Sequence, residues 1–236
     1  VLAEEVVTYL RPNHEESLLL DATVGQGGHA LRFLDSFPLL HVIGVDADPK
    51  MLSYAGERLA PYGDRLELVH GWFDEYLESH RRERRPDRIL FDLGISMVHL
   101  LPEGGGFSYR DRDSFDMRLN PEEERTARNA LYELSEEELA NVIFAYGEER
   151  LSRRIAAALK RERDHIRTSA DAAEVIRRAV PAKYRHGRIH PATRTFQALR
   201  IWVNRELERL ERALPAAVEA LPPGGRIGVI SFHSLE

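Results

Sequence analysis

Short apolar runs with no sustained alternation punctuate the first ninety-odd residues: Ser17–Asp21, His41–Asp46, Arg65–His70 and Arg88–Asp92. A strand with one face in water alternates apolar and polar residues, so runs of this kind predict strands covered on both faces. Helical patterns fill the intervals, at His29–Phe37, Pro49–Leu59 and, more weakly, Phe73–Arg82. Strand and helix in strict alternation predict a doubly wound, mostly parallel α/β sheet of Rossmann-like type. Three of the four runs end on a carboxylate, at Asp21, Asp46 and Asp92. Open α/β sheets bind ligands at the carboxyl ends of their strands, so the three acids are expected to face one crevice.

The alternation stops after Asp92. A glycine-rich stretch at Pro102–Gly106 precedes Phe107 and the charged segment Ser108–Arg118. Ser135 with Glu138 makes a capping box for a helix running through Tyr146. Helices are expected again over Glu149–Arg163 and Ala170–Val180, the second stopped by Pro181. Residues 105–190 therefore read as an inserted helical subdomain between two segments of the sheet domain, 1–104 and 191–236. The later segment is expected to begin with a single long helix over Thr193–Ala213. The Pro222–Gly225 turn then leads to a fifth strand, Arg226–Phe232.

The chain of 236 residues has no cysteine, which excludes disulfides, thiolate metal sites and a cysteine nucleophile. No apolar run approaches the roughly 20 residues that span a bilayer, and a cytoplasmic protein with no membrane partner is expected. The formal net charge of −6 does not favour nucleic acid. Its distribution does: Lys183–Arg205 holds six Lys or Arg and no acid, with Tyr184, His186 and His190 interleaved. Such a run suits a phosphate backbone, or is simply a solvated helix face beside a basic loop. Lys183, Arg185, Arg188 and Arg194 are its candidate phosphate contacts.

Between the first strand and the first helix lies Asp21-Ala22-Thr23-Val24-Gly25-Gln26-Gly27-Gly28-His29. Glycines there permit a tight turn and close approach of a ligand to a helix N-terminus. Asp46, closing the second strand, can hold a ribose diol. Gly25, Gly27, Ala30 and that acid also satisfy a dinucleotide fingerprint, so a nicotinamide oxidoreductase is the rival. Asp21 argues against it, because a carboxylate before the glycines would repel a pyrophosphate, and the loop has no Lys or Arg. The same carboxylate suits the cationic end of S-adenosylmethionine, unless it merely caps a backbone turn. Phe73, just past the third strand, is placed either to stack on an adenine or to pack in the core.

Beyond this turn the chain resembles the bacterial small-subunit ribosomal RNA cytosine-N4 methyltransferases, the MraW or RsmH family. The resemblance is carried by Asp21–His29, Asp92–Ser96, Gly106–Ser108 with Asp116–Arg118, and Tyr146–Glu149. It continues through His190–Arg200 and ends on Ile230–Glu236. These blocks run nearly end to end in family order, and the last two are the most specific. The resemblance implies a class I methyltransferase sheet and a cofactor site lined by Gly27, Gly28, His29, Asp46, Phe73, Asp92 and His99. His99 stands where the family usually has glutamine, and Asp113–Phe115 replaces a usual Gly-Pro-Leu.

The implied reaction is methylation of the exocyclic N4 of a P-site-region cytosine in 16S rRNA of the small ribosomal subunit. That nitrogen is a poor nucleophile, and an acceptor on its N–H groups would take up charge as it develops. Asp92 is the first candidate for the acceptor, with contact to the methionine moiety of the cofactor as its alternative. His233 is expected either to accept a proton late or to order its loop. No cluster has metal-ligand spacing; Asp111, Asp113 and Asp116 are expected to order a loop. A methyltransferase acting on another nucleic acid or a small amine is the second reading.

Overall fold

The computed structural model describes residues 1–14, 17–80, 85–101, 105–110, 112, 114–185 and 190–236. Arg188, His186, Asp111, Asp113 and the expected end of the fourth helical pattern at Arg82 lie outside them. The chain opens with α1 (Ala3–Tyr9), then alternates β1 (Leu18–Asp21), α2 (Gly28–Ser36), β2 (His41–Asp46) and α3 (Pro49–Leu59). β3 (Leu66–His70), α4 (Phe73–His80) and β4 (Arg88–Asp92) follow. Helices α5 (Ala127–Glu133), α6 (Glu136–Gly147), α7 (Ser152–Glu162), α8 (Ser169–Ala179), α9 (Ala182–Arg185) and α10 (Thr193–Asn204) come next. Finally α11 (Glu206–Ala220) leads into β5 (Arg226–Ile230).

The strands lie in the order β3-β2-β1-β4-β5, and every neighbouring pair is parallel. The order reverses between β1 and β4, and a crevice opens at the carboxyl ends beside such a switch point. Alternate residues of one strand serve opposite faces. Leu18 and Leu20 of β1, Ile43 and Val45 of β2 and Ile89 and Phe91 of β4 pack with Leu210, Ala213 and Ala217 of α11. Leu19, Val42 and Leu90 turn the other way, onto Phe33 of α2 and Leu59 of α3. Both faces of β1, β2 and β4 are covered, which is why those runs show no alternation; β3, expected to be covered as well, is an edge strand with Glu67 and His70 exposed. Each fully buried Leu, Ile or Phe contributes about 1.5–3 kcal/mol.

Two buried polar clamps tie helices into the unit built on this sheet. Arg88, almost fully buried, donates from Nε and Nη2 to the carbonyls of Leu10 and Arg11, holding the exit of α1. Arg209 of α11 reaches Asp74 of α4 at 3.1 Å and lies over the Trp72 ring at 4.0 Å. Both members of that ion pair are buried, so neither can be removed cheaply.

The chain forms two compact units: Val1–Gly94 with Leu207–Glu236, and Ile95–Glu206. The second unit is wider than the expected 105–190, because α10 belongs to it. Phe196, Leu199 and Val203 of α10 join the core of α5–α8, and Gln197 Nε2 donates to the Tyr146 carbonyl of α6. The single helix expected over Thr193–Ala213 is two helices. Arg205, with φ 51° and ψ 38°, breaks it in the left-handed region. α10 packs its apolar face in the helical core and α11 packs its own against the sheet.

Within the second unit the expected capping box is complete: Ser135 Oγ accepts from the Glu138 amide, and Glu138 accepts from the Ser135 amide. Asp116 orders its loop as expected by pairing with Arg118 at 2.7 Å. Met117 beside it is fully buried with φ 67°. Asn204 holds that strained turn, donating from Nδ2 to the Met117 carbonyl and accepting from the Leu119 amide, each at 2.8 Å.

Candidate active site

At the carboxyl end of β1 the chain turns through Gly25 (φ 52°) and Gly27 (φ 76°) into α2. Gly27 is required sterically as well, since a Cβ there would stand 2.8 Å from Leu59 Cδ1. The turn is seated on β2: the Val24 amide donates to the Val45 carbonyl at 2.9 Å. Gly44 makes room for it, because a Cβ on that strand would meet Val24 Cγ2 at 2.8 Å. No side chain caps the N-terminus of α2, so its first amides present a partial positive charge to the crevice. Gly28, the first residue of the helix, is exposed, and a Cβ added to it would meet nothing within 4 Å.

Asp46, at the end of β2, braces the turn. Its Oδ2 accepts from the Gly25 amide at 2.8 Å and its Oδ1 from the Asp48 amide at 2.9 Å. A carboxylate offers about four lone-pair sites, so both oxygens keep acceptor capacity towards a diol. Phe73 is half-buried at the start of α4, its ring edge-on to Phe91 with centroids 5.5 Å apart.

Asp21 is the most unusual residue here. It is 1% exposed, and neither carboxylate oxygen makes a well-aligned hydrogen bond, the Thr23 amide being the backbone donor nearby. Burial pushes its pKa up to about 7, opposed by His29 and the nearby Thr23 amide and reinforced by Asp92 and Asp46. His29, in the first turn of α2, places Nε2 3.3 Å from Asp92 Oδ2 without the alignment of a hydrogen bond. Asp92 is anchored through its backbone, its amide donating to Thr23 Oγ1 at 2.7 Å. Thr23 escaped sequence reasoning; its one signal is a hydroxyl inside an otherwise glycine-rich turn.

The structure thus brings Asp21, Gly25, Gly27, Gly28, His29, Asp46, Phe73 and Asp92 into the first unit, on β1, α2, β2, α4 and β4 or the turn between them. His233 belongs to the same unit, three residues beyond Ile230, the partner of Asp92 across β4 and β5. Its Nδ1 accepts from the Leu235 amide at 3.3 Å, which orders the turn after β5. His99 lies in the second unit, where it completes a capping box with Ser96 and its ring lies 5.2 Å from that of Phe107.

Of the candidate RNA residues, Lys183, Arg185 and Arg194 belong to the second unit. Lys183 Nζ lies 5.0 Å over the Tyr184 ring. Arg185 is drawn inward, donating to the carbonyls of Val180 and Arg178 at the end of α8. Arg194 is exposed and lines a cleft of about 840 Å³ together with Phe144, Arg150, Tyr184 and His190. His190 stacks flat on Tyr109, with centroids 4.2 Å apart. Burial, with Arg177 and Arg110 nearby, lowers its pKa below the usual histidine value.

The sequence model of the MraW methylase family matches residues 1–236. The chain is 48% identical over 239 residues to the ribosomal RNA small subunit methyltransferase H of Treponema denticola, covering 100% of this chain and 76% of that one. The proteins of the same name from Beutenbergia cavernae and Synechococcus elongatus are 46% and 47% identical. Each match again spans 100% of this chain, with 73% and 78% of the relative covered. With a family match from end to end and relatives this similar, the chain belongs to the MraW methylase family.

Proposed function

We propose that this methylase uses S-adenosylmethionine to methylate the exocyclic N4 of a P-site-region cytosine in 16S rRNA of the small ribosomal subunit. The observation that carries the cofactor is Asp21, a buried carboxylate without a well-aligned hydrogen bond beside the open N-terminus of α2. A cationic ligand relieves such a group, whereas a pyrophosphate would meet the charges of Asp21, Asp46 and Asp92 together. The substrate is supported by the relatives, which are ribosomal RNA small subunit methyltransferases by name.

When bound, the cofactor supplies a methyl group on a sulfonium, an electrophile that needs no covalent enzyme intermediate. The α2 amides at Gly28 and His29 suit its carboxylate, Asp21 its ammonium charge, Asp46 its ribose diol and Phe73 its adenine. Asp92 accepts an N–H of the target amino group and takes charge from it as the new bond forms. His233, in the turn that follows β5, is the candidate for a late proton transfer. Lys183, Arg185, Arg188 and Arg194 supply positive charge for the RNA backbone, which orients but does not select.

The test offers small ribosomal subunits and labelled cofactor to the protein, then maps the methylated nucleotide by mass spectrometry. Label at one cytosine N4 is the expected result; no label in rRNA overturns the reading. Replacing Arg185, Arg188 and Arg194 together with Ala should weaken RNA binding and flatten its salt dependence while cofactor affinity holds. Unchanged RNA affinity removes these residues from the interface.

A further inference from the structure

Asp21, His29 and Asp92 come from three different elements, β1, α2 and β4, beside the reversal in strand order. His29 is well buried, its side chain 10% exposed, and Nε2 stands 3.3 Å from Asp92 Oδ2. Its other ring nitrogen, Nδ1, is buried without a well-aligned partner, as are both oxygens of Asp21. Asp46, on β2, adds a further negative charge, and its oxygens brace the Gly25 and Asp48 amides. Asp21 is buried and Asp92 partly exposed, and the His29 imidazole beside Asp92 is a side chain whose positive form would offset a carboxylate charge there. The 3.3 Å approach of Nε2 to Oδ2 gives a proton a direct path between Asp92 and His29, and the buried Asp21 carboxylate belongs to the same cluster.

We propose that Asp21, His29 and Asp92 share protons as one unit, in which His29 is a positioning residue that returns Asp92 to its carboxylate form after each methyl transfer. The inference rests on Asp92 being the acceptor of the target's amino proton. As the N–CH3 bond forms and the S–CH3 bond breaks, the sulfonium becomes a neutral thioether and the amino nitrogen carries the positive charge. Its proton passes to an Asp92 oxygen and from there to Nε2 of a neutral His29. The resulting imidazolium lies beside the Asp92 carboxylate and is stabilised by the field of Asp21, until the proton leaves to solvent with the products. No further oxidant, base or metal enters the balance.

The test follows the His29 ring by NMR in histidine-labelled protein without cofactor, its signal assigned through H29Q. Removing either carboxylate should disfavour the imidazolium, so its titration midpoint falls by about 0.5 pH or more in both D21N and D92N. A midpoint unmoved in D21N overturns the shared unit. Should D21N not fold, D92N decides alone, since Asp92 is partly exposed at a strand end. In single-turnover methylation, H29Q should lose about tenfold near neutral pH and recover at higher pH, where solvent takes the proton. A uniform loss at every pH overturns the positioning role. If wild-type protein methylates no rRNA, the functional reading fails, while the NMR titration still decides whether the three groups share protons.

Discussion

Asp46 Oδ2 accepts the Gly25 amide at 2.8 Å, so the acid that closes β2 is also the brace of the turn after β1. The turn and the acid are one structure. Any change to that carboxylate therefore acts on the loop geometry as well.

Replacing Asp46 with Ala leaves the Gly25 and Asp48 amides without their acceptor. The expected cost is about 1–3 kcal/mol of stability, read from urea denaturation. S-adenosylmethionine affinity should fall at least tenfold by calorimetry. Affinity within twofold of wild type removes Asp46 from the cofactor site.

Gly27 and Gly28 are neighbours with different reasons for being glycine. Gly27→Ala places a Cβ at positive φ and against Leu59, so the fold is expected to weaken by about 1–3 kcal/mol. Gly28→Ala meets open space on a helix, where alanine is favoured by up to about 1 kcal/mol. This variant should melt no lower than wild type and yet bind the cofactor more weakly. Equal affinity would show that no ligand uses the space beside Gly28.

Stability should carry the signature of Asp21. Its folded pKa, raised to about 7 from 3.8, means that the folded state binds a proton the unfolded state has already lost. That contribution is complete below the lower value and disappears as pH rises through the higher one. Measured against D21N, wild-type protein should lose up to about 4 kcal/mol between those limits, at about 1.4 kcal/mol per pH unit. Urea midpoints of the two proteins across the window test it; parallel curves exclude the shift.

Gly147 ends α6 against α10, and a Cβ there would stand 2.4 Å from the Arg194 carbonyl. Backbone cannot yield as a flexible side chain does. Gly147→Ala is expected to destabilise the protein by about 2 kcal/mol or more and to displace Arg194. Weaker RNA binding with intact cofactor affinity should accompany it, measured by filter binding and calorimetry.

The sheet was legible because burial on both faces writes unbroken apolar runs, and β2, α3 and β4 have the bounds the sequence predicts. The three acids could be read for the same reason, standing where those runs end. The break at Arg205 was not legible: the apolar pattern continues across it, and only the change of packing partner at the end of α10 shows why a left-handed residue is needed. Nor could the sequence foresee that Arg185 also donates to the carbonyls at the end of α8, since a basic residue in a charged run carries no mark of such a contact. Helix α1 was missed because its few apolar positions, Val6 chief among them, are buried only once β1 and α2 lie beneath it.

The fifth strand pairs with the fourth, although the whole of Ile95–Glu206 is made between them. During synthesis the growing chain therefore holds β1 to β4 with an open edge until the helical unit has emerged and collapsed. Closing so long a loop is entropically unfavourable while it is unstructured, and the burden shrinks once the helices have packed on their own local contacts. Arg205 precedes α11 and β5 in the chain, so β4 gains its second neighbour only after the whole helical unit has been synthesised.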